Sequence, residues 1–214
     1  MNLGNVLIFG DSYSTFKGWL PEGFGYSYSE EGQDGNEVID VRDTWWHQVV
    51  TKTGSNLVMN NSWSGSTIGY TGYNGQDLST SKSFIYRFKL LKDGGFFEEN
   101  RIDTFFILGG TNDSWSHAPV GELKFEDLKN EDFYSVLPAV CGFYKLVTET
   151  LPDTKIYCLV NTYLDEKITE GMKAAAKHYG IPTIEFPVID KWKGHPTILG
   201  MKQIADGVLE ALDK

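Results

Sequence analysis

Gly10-Asp11-Ser12 stands directly behind the short apolar run of residues 5–9, so the Ser12 hydroxyl is expected at the carboxyl edge of a sheet. A nucleophile would be held there; the plainer alternative is that Asp11 or Ser12 caps a helix. Gly109-Gly110-Thr111-Asn112-Asp113 follows the run 103–108 in the same manner. Its paired glycines let backbone approach closely and Asn112 can donate from its amide, although an ordinary turn would read the same. Residues 60–67 follow a third run and contain Gly65, whose bare backbone N–H suits a bound anion. Gly194-His195-Pro196-Thr197 precedes the last helical stretch. Together these supply what acyl transfer requires: a hydroxyl, a base titrating near neutral pH, and N–H donors for a developing oxyanion.

Four histidines are available for the base. His47 falls in a helical stretch beside Trp45 and Trp46, and His178 lies near a helix C-terminus whose dipole suits it, so both read as structural. His117 sits close enough behind the Gly109-Gly110 loop to line a cleft. His195 alone would read as an ordinary helix entry; its company with Ser12, Gly65 and Asn112 makes it the candidate for the base. The histidines form no ligand-spaced pair on a helix, and Cys141 and Cys158 lie too far apart for a paired thiolate motif, so no metal is expected. Both cysteines read as packed thiols. Gly10-Asp11-Ser12-Tyr13-Ser14 lacks the glycine spacing of a phosphate cradle, and Asp11 would repel an anion, which argues against a nucleotide site.

The elements that must position these residues alternate. Apolar runs at 5–9, 56–60, 103–108, 155–160 and 182–186 have the length and continuity of strands buried on both faces. Helical spacing recurs at 43–52, where Asp43 could cap the first turn, and at 83–92, 133–151, 164–179 and 197–212. The alternation predicts one α/β domain over 1–214, a five-stranded parallel sheet between helix layers with right-handed crossovers. Residues 17–41 and 62–81 are long, irregular and rich in Gly, Ser and Tyr. Each follows a strand, where site walls belong in such a sheet.

Composition narrows the partners. The 29 acidic against 19 basic residues leave a formal charge of -10, and no window gathers Lys and Arg into a stripe, so nucleic acid is excluded. The acidic surface disfavours anionic lipid and polyanionic substrates and fits a neutral substrate, although local fields can oppose the net charge. The N-terminus shows no basic stretch followed by a long apolar run; a cytoplasmic protein is expected, with export after a trimmed signal the alternative.

The sequence resembles the SGNH, or GDSL-type, hydrolase superfamily in four ordered blocks: Gly10-Asp11-Ser12, the Gly65 loop, Gly109-Gly110-Thr111-Asn112, and His195-Pro196 with Gly200. The resemblance implies a three-layer α/β/α sandwich of flavodoxin-like type and ester hydrolysis without a cofactor. By the same analogy Ser12 is the nucleophile, His195 the base, and the Ser12 N–H, Gly65 N–H and Asn112 side chain the oxyanion donors. One position departs from the family pattern: where an acidic triad partner usually precedes the histidine by three residues, this chain has Trp192, and the nearest carboxylate is Asp190. Either residues 190–195 loop so that Asp190 reaches the imidazole, or a main-chain carbonyl around Trp192 orients the ring and leaves a Ser–His dyad.

For the substrate, Trp63 and Trp115 lie in the loops carrying Gly65 and Asn112, with Tyr26, Tyr28, Tyr70 and Tyr73 nearby. Flat aromatic faces suit sugar rings, as they suit acyl chains or loop packing, and deacetylation of a carbohydrate is the favoured expectation. The alternatives are a thioesterase or lysophospholipase for longer acyl chains, and a carbohydrate-binding module that keeps the fold without turnover.

Overall fold

The computed structural model describes residues 1–33 and 35–213. In chain order the elements are β1 (Asn5–Gly10), α1 (Trp45–Thr53), β2 (Asn56–Ser62), α2 (Phe84–Asp93), α3 (Phe96–Glu99), β3 (Thr104–Leu108) and α4 (Thr111–Trp115). Then follow α5 (Val136–Thr150), β4 (Lys155–Val160), α6 (Glu166–His178), β5 (Thr183–Glu185), a hairpin of β6 (Lys191–Trp192) and β7 (His195–Pro196), and α7 (Ile198–Leu212).

The five main strands form an all-parallel sheet in the order β2-β1-β3-β4-β5, the flavodoxin-like winding. Successive side chains of a strand point to opposite faces, and the core divides accordingly. Leu7, Phe9, Phe105 and Ile107 pack under α2, α5 and α6, whereas Val6, Ile8, Phe106 and Leu108 pack under α1 and α7. The result is the expected three-layer sandwich. Phe9 shows how tightly one face is filled: the rings of Phe84, Phe88 and Phe105 meet it at 6.0, 5.8 and 5.4 Å between centroids. Truncating such a residue to Ala typically costs about 3–5 kcal/mol.

β1 must end at Gly10 because the chain turns back on itself there. A β-carbon on Gly10 would stand 2.5 Å from that of Ser14, so a larger residue would displace the turn that follows.

The structure departs from the sequence expectations in three places. Asp43 does not cap α1: it lies in a preceding 3-10 turn, Thr44 takes the cap position, and the Asp43 carbonyl accepts from the Gln48 amide instead. The short helices α3 and α4 interrupt stretches that read as loop. The segment before α7 folds into the β6–β7 hairpin, whose turn residues Lys193 and Gly194 both have positive φ (48° and 84°). Two such residues make the tight turn that matches strand twist, and glycine supplies one of them without strain. Among the described residues no helix is long and apolar enough to cross a membrane.

Candidate active site

Three loops at the carboxyl edge of the sheet converge on Ser12. The residue opens a 3-10 turn (Ser12–Ser14) directly after β1, and the cap of that turn is Asp11, whose Oδ1 accepts from the Tyr13 N–H at 3.0 Å. Capping therefore falls to Asp11, and the Ser12 hydroxyl is directed elsewhere: His195 Nε2 lies 3.0 Å from Ser12 Oγ.

The imidazole is held from several sides. Tyr13 Oη donates to the Gly194 carbonyl at 2.5 Å, and Tyr28 Oη and Asn36 Nδ2 both donate to the Pro196 carbonyl at 3.1 Å, fixing the hairpin on either side of His195. The rings of Tyr13, Trp115 and Tyr28 surround the imidazole at 5.9, 6.1 and 6.4 Å between centroids. Trp115 also wedges the turn, its ring 2.9 Å from where a Gly194 β-carbon would sit.

Among the described residues no hydrogen bond joins Asp190 to the imidazole. Its hairpin register is the reason: His195 is paired with Trp192, while Asp190 faces Thr197, whose N–H donates to the Asp190 carbonyl at 3.1 Å. The Asp190 carboxylate accepts from the Thr197 hydroxyl, which in turn caps α7 by accepting from the Gly200 N–H at 3.2 Å.

The sequence-predicted oxyanion donors Gly65 and Asn112 lie on the loops that follow β2 and β3, the two strands that flank β1. Asn112, in the first turn of α4, gives one amide hydrogen to the Ser66 carbonyl at 2.8 Å, and its Oδ1 accepts from Tyr73 Oη at 2.9 Å. That acceptor fixes which end of the amide is nitrogen, and the second amide hydrogen has no acceptor among the described residues. The Ser12 and Gly65 N–H groups likewise make no hydrogen bond among the described residues, while the neighbouring N–H of Trp63 is bound to the Gly10 carbonyl at 3.1 Å. Three N–H donors with a hydrogen to spare, on the loops that follow β1, β2 and β3, are the kind of groups that an oxyanion requires.

Buried charge supports this edge. Arg87, on the apolar stripe of α2, is 1% exposed and reaches up under the loop. Its guanidinium donates to the Asn61 carbonyl and, at 2.6 Å, to Asn61 Oδ1, to the Gly10 carbonyl and Ser66 Oγ at 3.3 Å each, and to the Lys82 carbonyl at 3.0 Å. Burial pushes Arg87 down to about 9, with the nearby Asp11 opposing the shift. Burial also pushes Asp11 up to about 6 against the Tyr13 N–H bond, and pushes Asp113 up to about 6 although the Ile68 and Gly69 N–H groups bind its carboxylate. Lys191, whose ammonium donates to the Thr162 carbonyl at 2.8 Å, is lowered to about 8 by burial.

The aromatic residues divide differently from expectation. Tyr28 and Tyr70 are buried core residues, not cleft faces. Trp63 stacks on Phe24 at 4.2 Å, Trp115 packs on the hairpin, and Tyr73 orients Asn112. His117 is exposed beyond α4 with φ 54°, and no described interaction ties its ring to Ser12 or His195. His47 packs edge-on against Trp19 and Trp46, and His178 stacks on Phe125. The wall that sequence reasoning missed is Trp192. With Ser27, Gln33, Asn36, Lys193 and His195 it lines a cavity of about 130 Å³ beside the imidazole. Larger cavities of about 450 and 400 Å³ lie at the amino ends of the strands, away from Ser12.

The GDSL-like lipase/acylhydrolase family model matches residues 4–212. Two solved structures assigned as GDSL-like lipases are similar over almost the full length of both chains. The protein from Bacteroides ovatus is 38% identical, with a TM-score of 0.92 over 99% of this chain and 98% of its own. The one from Bacteroides uniformis is 37% identical, with a TM-score of 0.89 over 98% and 95%. A family two carbohydrate esterase from Clostridium thermocellum, solved with cellohexaose, shares the fold at 16% identity (TM-score 0.65, 98% of this chain and 63% of that one). No curated protein matches the chain in sequence. On a match that spans nearly every residue, and on two full-length relatives above one-third identity, the chain belongs to the GDSL-like lipase/acylhydrolase family of carboxylic ester hydrolases.

Proposed function

We propose that the protein hydrolyses small acyl esters, acetyl esters of carbohydrates foremost, by acyl transfer through Ser12. The observation that carries this reading is the 3.0 Å contact between His195 Nε2 and Ser12 Oγ. Neutral His195 takes the Ser12 proton as the oxygen attacks the ester carbonyl; the imidazolium then protonates the leaving alcohol, and water repeats the sequence to release the acid. Negative charge on the carbonyl oxygen would be met by the Ser12 and Gly65 N–H groups and the Asn112 amide, which have hydrogens without an acceptor among the described residues and so no bond to give up first. The cavity of about 130 Å³ beside His195 leaves room for a small portion of a substrate next to the proposed base. Trp192 on its wall, 51% exposed, offers a flat face to a sugar ring.

A fluorophosphonate probe combined with aryl esters of graded chain length tests both halves. Labelling is expected in the wild type and lost in Ser12→Ala, with kcat/KM highest for acetate. Absence of labelling would overturn the nucleophile; a maximum at eight carbons or more would overturn the small-acyl assignment.

A further inference from the structure

Lys82 stands immediately before the α2 cap residue Ser83, and its Nζ lies 3.0 Å from where a β-carbon would sit on Gly65. The ammonium is therefore laid against one of the three oxyanion donors. It is half-buried, and it has no hydrogen-bond or salt-bridge partner among the described residues. Its neighbourhood lowers its pKa through burial, with no nearby carboxylate raising it. Several other lysines, such as Lys92, Lys155 and Lys177, also make no ion pair among the described residues; what sets Lys82 apart is that its unpaired ammonium is partly buried and lies against the Gly65 loop.

The position is also built. Arg87 donates to the Lys82 carbonyl while it donates to Gly10 and Ser66, so one buried side chain ties the Lys82 backbone to both the nucleophile turn and the Gly65 loop. A partly desolvated ammonium without a counterion interacts strongly with any anion brought to it, more so than a fully solvated one. Asp11 faces Arg87 beneath the loop, and Asp113 is bound by the Ile68 and Gly69 N–H groups, whereas Lys82 is a cation at this edge with no carboxylate beside it among the described residues. Lys82 is a single compact charge, so it would recognise an anionic group by charge and not by bidentate geometry, and a carboxylate is the smallest such group that the alcohol portion of an ester can carry.

We propose that Lys82 is a specificity residue that selects esters whose alcohol portion carries a carboxylate, the acyl group itself being too small to hold one. This rests on the esterase reading above. The test compares 4-acetoxybenzoate with 4-acetoxybenzamide, which differ in charge at one position, in the wild type, Lys82→Met and Lys82→Arg. Leaving-group electronics cancel when the kcat/KM ratio of the two esters is compared between enzymes. The ratio is expected to fall about tenfold in Lys82→Met, to be largely retained in Lys82→Arg, and in the wild type to decline with added salt. A ratio in Lys82→Met equal to that of the wild type would overturn the proposal, as would equal losses on both esters, which mark a general effect on the oxyanion loop. Turnover of 4-nitrophenyl acetate is measured alongside: its absence from the wild type would overturn the esterase reading itself, whereas its presence with an unchanged ratio overturns only the role of Lys82.

Discussion

Tyr73 donates its hydroxyl to Asn112 Oδ1 at 2.9 Å, and with the Ser66 carbonyl, which accepts from the amide nitrogen, holds the Asn112 amide in one orientation. Losing one oxyanion donor typically costs about 3–4 kcal/mol of barrier, so Asn112→Ala should lower kcat by about a hundredfold or more with the fold intact. Tyr73→Phe keeps the donor but releases its orientation. It should lower kcat by roughly tenfold with a smaller change in KM, since the amide is needed most when charge develops. Steady-state kinetics on an aryl acetate decide the matter: Tyr73→Phe at full kcat would remove the orienting role, and Asn112→Ala at full kcat the donor itself.

The Asp190 carboxylate is engaged by the Thr197 hydroxyl one rung away from the imidazole. Asp190→Asn should therefore keep kcat within about fivefold of the wild type, because an amide oxygen still accepts from Thr197. Removing a true triad acid costs about 10⁴-fold. A loss of that size in Asp190→Asn would restore Asp190 to the catalytic set.

Asp11 links the site to stability. Its folded-state value of about 6 lies above the ordinary 3.8, raised mainly by burial, so its proton is held more tightly in the folded chain than in the unfolded one. The associated stability is complete below the unfolded value and is lost as the pH rises through the folded one. Asp11→Asn cannot ionise, so its melting temperature relative to the wild type should climb between about pH 4 and pH 7, by an amount equivalent to about 1–3 kcal/mol. The fixed effect of the new amide is the same at both pH values and drops out of the comparison. Parallel melting curves at the two pH values, with no change in the difference, would show that the carboxylate is not held at this cost.

The sheet was legible because β1, β3 and β4 are covered on both faces, which leaves unbroken apolar runs in the sequence. Ser12, Asn112 and His195 were legible for a related reason: each stands at a break between such a run or helix and a glycine-rich loop. The β6–β7 hairpin was not, because strands of two residues carry no periodicity and Lys193 gives no hint of its positive φ. For Asp190 the sequence leaves open whether its carboxylate or a main-chain carbonyl meets the imidazole, because hairpin register, which sets Asp190 opposite Thr197, is invisible in the sequence. Tyr73 lies 39 residues from Asn112 in the chain, and no local pattern joins them. Arg87 did leave a signal that could have been used: it falls on the same helical face as Phe84 and Phe88, where a charge must be buried.

The contact between Ser12 and His195 closes over a separation of 183 residues. β1 sits inside the sheet, but the imidazole arrives only after the chain has traversed β3, β4 and the edge strand β5 and turned back in the hairpin. Ordering so long an intervening stretch is slow compared with forming neighbouring contacts, and during synthesis the sheet can assemble before the hairpin exists. A nascent chain on the ribosome accordingly carries Ser12 before His195 can reach it, and their contact forms late, with the docking of α7.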